Sequence, residues 1–399
     1  MTPLVPPIDT RGIEAFIAAV GKKAWAGRIA GLLDAGSART HSGRQVLQNN
    51  CIELALERLR VKTPGRLPTT SERRIAACAA ETVQILGRLS PQGQEALRAL
   101  LRAGIEAGSN LVSVFHLVRT AGMQQARGFG VRFAGLEEGA GFDLLIERSG
   151  VEAEVACEVM SAEIGRCVNR GAWFSLVDRV DPELQTWLRA HPGRYLLKMT
   201  LPRGLEHDPE LLARLHTRIT QMLAVRGRND GDEAAMLRLD PLMLAAAQSD
   251  ETGLMPRLRR EFGPEAHLSV TAAANGIFVM AARGGRENAV AVAMRQRLAA
   301  VAPARLTGTR PGILSLFLED TDRAEWRGLR DKLELEGEAR QFMTTPEARS
   351  VVAVTCTTRL ELFGLAEPDA CPGGEMRFRN PAHPSAKLEA LGPAIQSSM

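Results

Sequence analysis

Between Phe142 and Arg166 the chain gathers carboxylates in a pattern able to do metal chemistry. Asp143 stands just before the apolar run Leu144-Leu145-Ile146, and Ser149-Gly150 supplies a turn signal. The next run alternates. Val151, Ala153, Val155 and Cys157 point one way; Glu152, Glu154, Ala156 and Glu158 point the other. One carboxylate thus opens a strand, and three glutamates share one face of the next. Hard oxygen ligands that converge in this way suit Mg²⁺ or Mn²⁺. An edge strand with a solvated polar face has the same alternation. Residue types alone leave both open.

These side chains need a hairpin to hold them and helices to cover it. The pattern predicts a helix over Ser109–Arg127, with Leu111, Val114, Phe115 and Val118 on its apolar face, and a strand over Gly130–Phe133. After the hairpin, Ser161 is placed to cap a helix that runs through Val168 and breaks at Asn169-Arg170-Gly171. Arg166 and Arg170 are four apart and would share a face of that helix. A phosphate clamp would stand there; ordinary surface arginines read the same way. Asp181-Pro182 then opens a further helix, Tyr195–Leu201 reads as a fourth strand, and Pro209–Val225 as an amphipathic helix.

The order helix, strand, Asp-bearing strand, turn, strand, helix resembles the core of the PD-(D/E)XK nucleases, the restriction-endonuclease-like superfamily, over roughly Ser109 to Met222. Asp143 sits in the Asp place, and Ala156-Cys157-Glu158 sits where that family has Glu-x-Lys. The resemblance implies a phosphodiester hydrolase using Mg²⁺ or Mn²⁺. It casts Asp143 and Glu154 as metal ligands, Glu158 as the group that orients or deprotonates water, and Arg166 and Arg170 as the hold on the nucleic-acid backbone. Glu154 would replace the lost Glu from one strand repeat (about 7 Å) away, and Lys198 would supply the missing cation. The departures at Ala156 and Glu158 support a second expectation. That is a catalytically degenerate, non-enzymatic scaffold for nucleic acid or protein, in a defence or mobile-element setting. A third is that the hairpin likeness is accidental.

Composition bounds these readings. The chain has 399 residues, 45% apolar and 24% charged, which suits two or three domains with proper cores. Its net charge of +4 permits contact with phosphate, DNA ahead of RNA, without demanding it. Aromatics at 4% argue against a base-stacking platform. The six cysteines include no Cys-x-x-Cys pair, which excludes a zinc ribbon and fits reduced thiols in the cytoplasm. No apolar run is long enough to span a membrane and no signal peptide is expected. The first ten residues are Pro-rich and read as loose.

The expected fold is α/β, with α+β as the variant: a helical N-terminal region over 1–108, a restriction-endonuclease-like mixed sheet flanked by helices over 109–228, and a C-terminal α/β part over 229–399. The helical region would serve as a cover or as the contact of a homodimer. The polar stretch Arg226–Asp232 marks the second boundary. Beyond it, Asn275-Gly276 signals a hairpin, and Arg283-Gly284-Gly285-Arg286 precedes a helix expected over Arg286–Val301. That Gly-rich loop has neither the Lys-Ser/Thr of a P-loop nor Gly-x-Gly-x-x-Gly, so it reads as a loop, or as a phosphate cradle.

Overall fold

Ser149 and Gly150 both take positive φ, 52° and 77°, and close a two-residue hairpin. The computed structural model in which this is seen describes residues 10–38, 40–61, 66–241, 251–263, 265–365 and 369–398. The Pro-rich start up to residue 9 lies outside these. The hairpin joins β2 (Leu144–Arg148) to β3 (Val151–Ser161), with β1 (Gly130–Arg132) antiparallel on the outer side of β2. The remaining strands are β4 (Arg194–Leu201), β5 (Asn229–Gly231), β6 (Met236–Pro241), β7 (His267–Ala273), β8 (Gly276–Gly284), β9 (Gly312–Glu319), β10 (Val351–Thr358) and β11 (Met376–Arg379).

They form two sheets, ordered β1-β2-β3-β9-β10-β11 and β5-β6-β4-β8-β7. β9 runs parallel to both β3 and β10, and β4 runs parallel to β8. The α/β class expected from sequence, with helices at the N-terminal side, is what the chain adopts.

The chain divides into two units. One holds the described residues of 1–37, 46–162 and 291–399; the other holds 38–45 and 163–290. The second unit is therefore inserted in the first, between β3 and the helix Val290–Arg305 that leads to β9. This differs from the three consecutive domains read from sequence. Arg226–Asp232 is not a boundary but part of the second unit, where it carries β5. The strand Tyr195–Leu201 belongs to the second sheet, and the neighbour of β3 is β9. The residues of β9 and β10 explain the assignment. Seven of the eight in β9 and all eight in β10 are buried, the unbroken run of interior parallel strands covered on both faces.

The first unit's sheet is buried on both faces, and its largest cluster lies on one of them. Ala153, Val155, Ile313, Phe317 and Val352 pack with Val114, Phe115 and Val118 of the helix Val112–Ala126 and with the N-terminal helices. Helix starts there follow capping chemistry. Thr69 and Glu72 make a reciprocal capping box for Thr70–Arg88, and Ser90 caps Pro91–Gly104. Each such cap contributes about 1 kcal/mol.

In the second unit, Trp173, Leu176, Val177 and Leu184 of the helix Arg170–Ala190 pack with Leu215 and Ile219 of Pro209–Ala224 and with Leu197 and Phe278 of the sheet. Asn169 does not break a helix; it begins this one, its side chain accepting from the Ala172 N–H at 2.9 Å. Pro182 lies inside the same helix rather than opening another. No described helix is long and apolar enough to cross a membrane.

Candidate functional site: a carboxylate face held by arginines

β3 is an interior strand, so its glutamates are not on a solvated edge. Asp143 directly precedes β2, and its N–H donates to the Val155 carbonyl at 3.0 Å. The β2–β3 pairing ends at Leu144 and Val155, and Asp143 lies just beyond it, where Arg305 joins its side chain to Glu158. Within β3 the alternation read from sequence holds: Ala153, Val155 and Cys157 pack with the apolar core, and Glu152, Glu154 and Glu158 meet arginines. The face is lined by arginines from the helix Val290–Arg305 and the loop after it.

The partners are specific. Asp143 Oδ2 accepts from the Cys157 N–H at 2.7 Å and from Arg305 Nη2 at 2.8 Å. Arg305 Nη1 is 3.6 Å from Glu158 Oε2, so one guanidinium bridges the two carboxylates. Arg297 also holds Glu158, with its Nε at 3.0 Å. Glu154 is fully buried and accepts from the Thr307 N–H at 2.9 Å and from the Thr307 hydroxyl, with Arg310 3.7 Å away. Arg310 also pairs with Glu152 at 2.7 Å.

Burial pushes the Asp143 carboxyl above its usual range, despite Arg305 and the Cys157 N–H; nearby Glu158 adds to the rise. Burial likewise pushes the Cys157 thiol well up, so it is no nucleophile.

Asp143 and Glu158 thus converge on one cation, the Arg305 guanidinium, whereas Glu154 shares neither of their partners and anchors the loop around Thr307. Among the described residues no group of three or more His, Cys, Asp or Glu side chains is placed to hold a metal ion. The oxygens of the face are already engaged by guanidinium and N–H donors.

Compared with protein-family models, with curated proteins and with solved structures, the chain gives no match in any of the three. The nuclease-like reading accordingly rests on the element order and on this face alone.

Arg166 and Arg170 belong to the second unit and do not share one helix face. Ala162–Gly165 is a single 3-10 turn, Arg166 follows it, and Arg170 is the first residue of the next helix. Both are tied to Glu163. Arg166 pairs with it through its guanidinium, and Arg170 donates its N–H to Glu163 Oε2 at 2.6 Å. Lys198 is likewise in the second unit, where it pairs with Asp240 at 3.5 Å.

The residues that sequence reasoning missed are Arg297, Arg305, Thr307 and Arg310. They lie more than 130 positions from the carboxylates they hold, beyond the reach of any local pattern.

Proposed function

We propose that the chain is a non-hydrolytic, nucleic-acid-binding scaffold that keeps a restriction-endonuclease-like core. The order of helix Val112–Ala126, β1, Asp-preceded β2, turn and β3, with Val290–Arg305 as the next helix of that unit, supports the core. The net charge of +4 and the predominance of arginine support contact with phosphate.

The observation that carries the non-hydrolytic part is the bridging of Asp143 and Glu158 by Arg305. A guanidinium in this place neutralises the two carboxylates that a metal would need. Displacing it would strand a half-buried cation, and breaking such pairs is costly.

A second reading, the metal-dependent nuclease, is favoured by the same convergence, since two carboxylates already aim at one cationic centre. It requires Arg305 to leave and Glu154 to give up Thr307.

The two are separated by measuring binding and cleavage together. Labelled DNA and RNA are followed by anisotropy, and plasmid nicking is followed with Mg²⁺ or Mn²⁺ present. Binding without cleavage is expected. Metal-dependent cleavage that the double substitution Asp143→Ala with Glu158→Ala abolishes would overturn the proposal. Absence of binding to either nucleic acid would remove its nucleic-acid part.

A further inference from the structure

The second unit contains a cavity of about 350 Å³ that uses none of the carboxylates described above. It opens at the carboxyl ends of the parallel strands β4 and β8, where Thr200 is in register with Arg283 and Leu201 with Gly284. Crevices at the carboxyl ends of parallel strands are where open α/β sheets bind ligands. The volume lies at the small end of the range for ligand sites, enough for a phosphate with a modest organic group.

Arg283-Gly284-Gly285-Arg286 forms much of the wall. The glycines have to be glycines. A Cβ on Gly284 would lie 2.6 Å from the Cys167 sulfur, and one on Gly285 would lie 2.6 Å from the Pro202 Cα. The main chain itself therefore lines the cavity, pinned by the Gly285 N–H to the Leu201 carbonyl at 2.8 Å. Asn288 fixes the far end, its Oδ1 accepting from the Cys167 N–H at 3.1 Å.

Arg283 and Arg286 are exposed, and neither guanidinium makes a hydrogen bond or ion pair to any described residue. This sets them apart from the arginines of the carboxylate face, each of which is paired. Two glutamates also line the cavity. Glu265 is engaged by the Asn288 N–H at 3.3 Å, and Glu287 remains as an exposed acceptor.

His267, which meets the Val168 backbone beside the cavity, has its pKa lowered to about 4, first by burial and then by Arg170, Arg166 and Arg259.

We propose that this cavity binds a phosphate-bearing ligand, gripped by the guanidinium groups of Arg283 and Arg286 with the Thr200 hydroxyl as a further donor. Paired guanidinium forks suit phosphate oxygens, and Glu287 is placed to accept from a hydroxyl of the attached group. The phosphate comes either from a free mononucleotide or from a nucleic-acid strand.

The test uses the full chain and two probes: adenosine monophosphate by calorimetry, and a labelled twelve-nucleotide single strand by anisotropy. At least one probe is expected to bind, and Arg283→Gln with Arg286→Gln to weaken it tenfold or more at equal salt. Arg203→Gln, at an exposed arginine that pairs with Glu233 outside the cavity, should leave binding unchanged. Thr200→Val, which removes only the hydroxyl, is expected to weaken binding severalfold and serves where the double variant proves unstable.

Binding of the mononucleotide alone identifies a small-molecule site. Binding of the strand, competed by the mononucleotide, identifies a strand contact. Failure of both probes, or binding unchanged by the arginine and threonine substitutions, overturns the proposal. Because the readout is binding in the absence of metal, its failure is distinct from a failure of the non-hydrolytic reading.

Discussion

Replacing Glu53 by glutamine is expected to stabilise the first unit at neutral and alkaline pH and to leave it unchanged in acid. Glu53 lies on the helix Cys51–Val61, fully buried, and neither carboxylate oxygen has a hydrogen-bond partner. Burial raises its pKa from an ordinary 4.5 to about 7, against the softening effect of nearby N–H groups and of Arg28 and Arg359. At ~1.4 kcal/mol per decade of proton affinity, the ionised form is penalised by ~3 kcal/mol.

The sign follows from a folded-state pKa raised above the unfolded value. The favourable contribution of the protonated group is fully present below pH 4.5 and is lost as pH rises through about 7. Glutamine is neutral throughout and nearly the same shape. Urea unfolding followed by tryptophan fluorescence, from pH 4.5 to 8.5, should therefore show the two proteins diverging. The variant should gain up to ~3 kcal/mol at the alkaline end. Parallel curves would refute the reasoning, because they would mean that Glu53 finds a partner or titrates normally.

Two further substitutions test the carboxylate face. Arg305→Gln should cost on the order of 1–3 kcal/mol at pH 8, between the values of exposed and of buried pairs, because Asp143 and Glu158 lose their shared cation. That cost should fade in acid as Asp143, whose carboxyl burial holds above its usual range, protonates; an equal loss at both pH values would point to packing instead. Thr307→Val should cost about 1–2 kcal/mol by removing the hydroxyl that reaches the buried Glu154, and no change in the urea midpoint would show that Glu154 is satisfied by the Thr307 N–H alone.

The hairpin that carries the carboxylates was legible because every signal for it is local. Alternation from Val151 to Glu158 set the faces, and Ser149-Gly150 has the φ values that its turn requires. The helix Ser109–Arg127 and the strand at Gly130 were legible for the same reason, within a few residues of Val112–Ala126 and Gly130–Arg132.

What failed was non-local. Tyr195–Leu201 reads as a strand next in line after the hairpin, and nothing in that run or in the residues of β9 says which one pairs with β3. The answer, β9, depends on an insertion from 163 to 290 that no composition shift announces. Local capping chemistry was misjudged at three places: Ser161 ends β3 before a 3-10 turn and caps no α-helix, Asn169 starts a helix it was taken to stop, and Asp181-Pro182 lies inside that helix. The hairpin in the second unit turns at Ala274-Asn275, one residue before the Asn-Gly signal, with Ala274 at φ 50°. The arginines of the face escaped altogether, since arginine is spread along the whole chain and only the fold brings three of them to Asp143, Glu154 and Glu158.

The measurement that bears most directly on the central claim is calorimetric titration of the full chain with Mn²⁺, beside the double variant Arg297→Gln with Arg305→Gln. If the arginines neutralise the face, the native protein takes up no ion at this site, and the variant, with Asp143 and Glu158 released, gains binding that Asp143→Ala then removes. Stoichiometric binding by the native protein that Asp143→Ala abolishes would contradict the account and return the carboxylates to a working metal site.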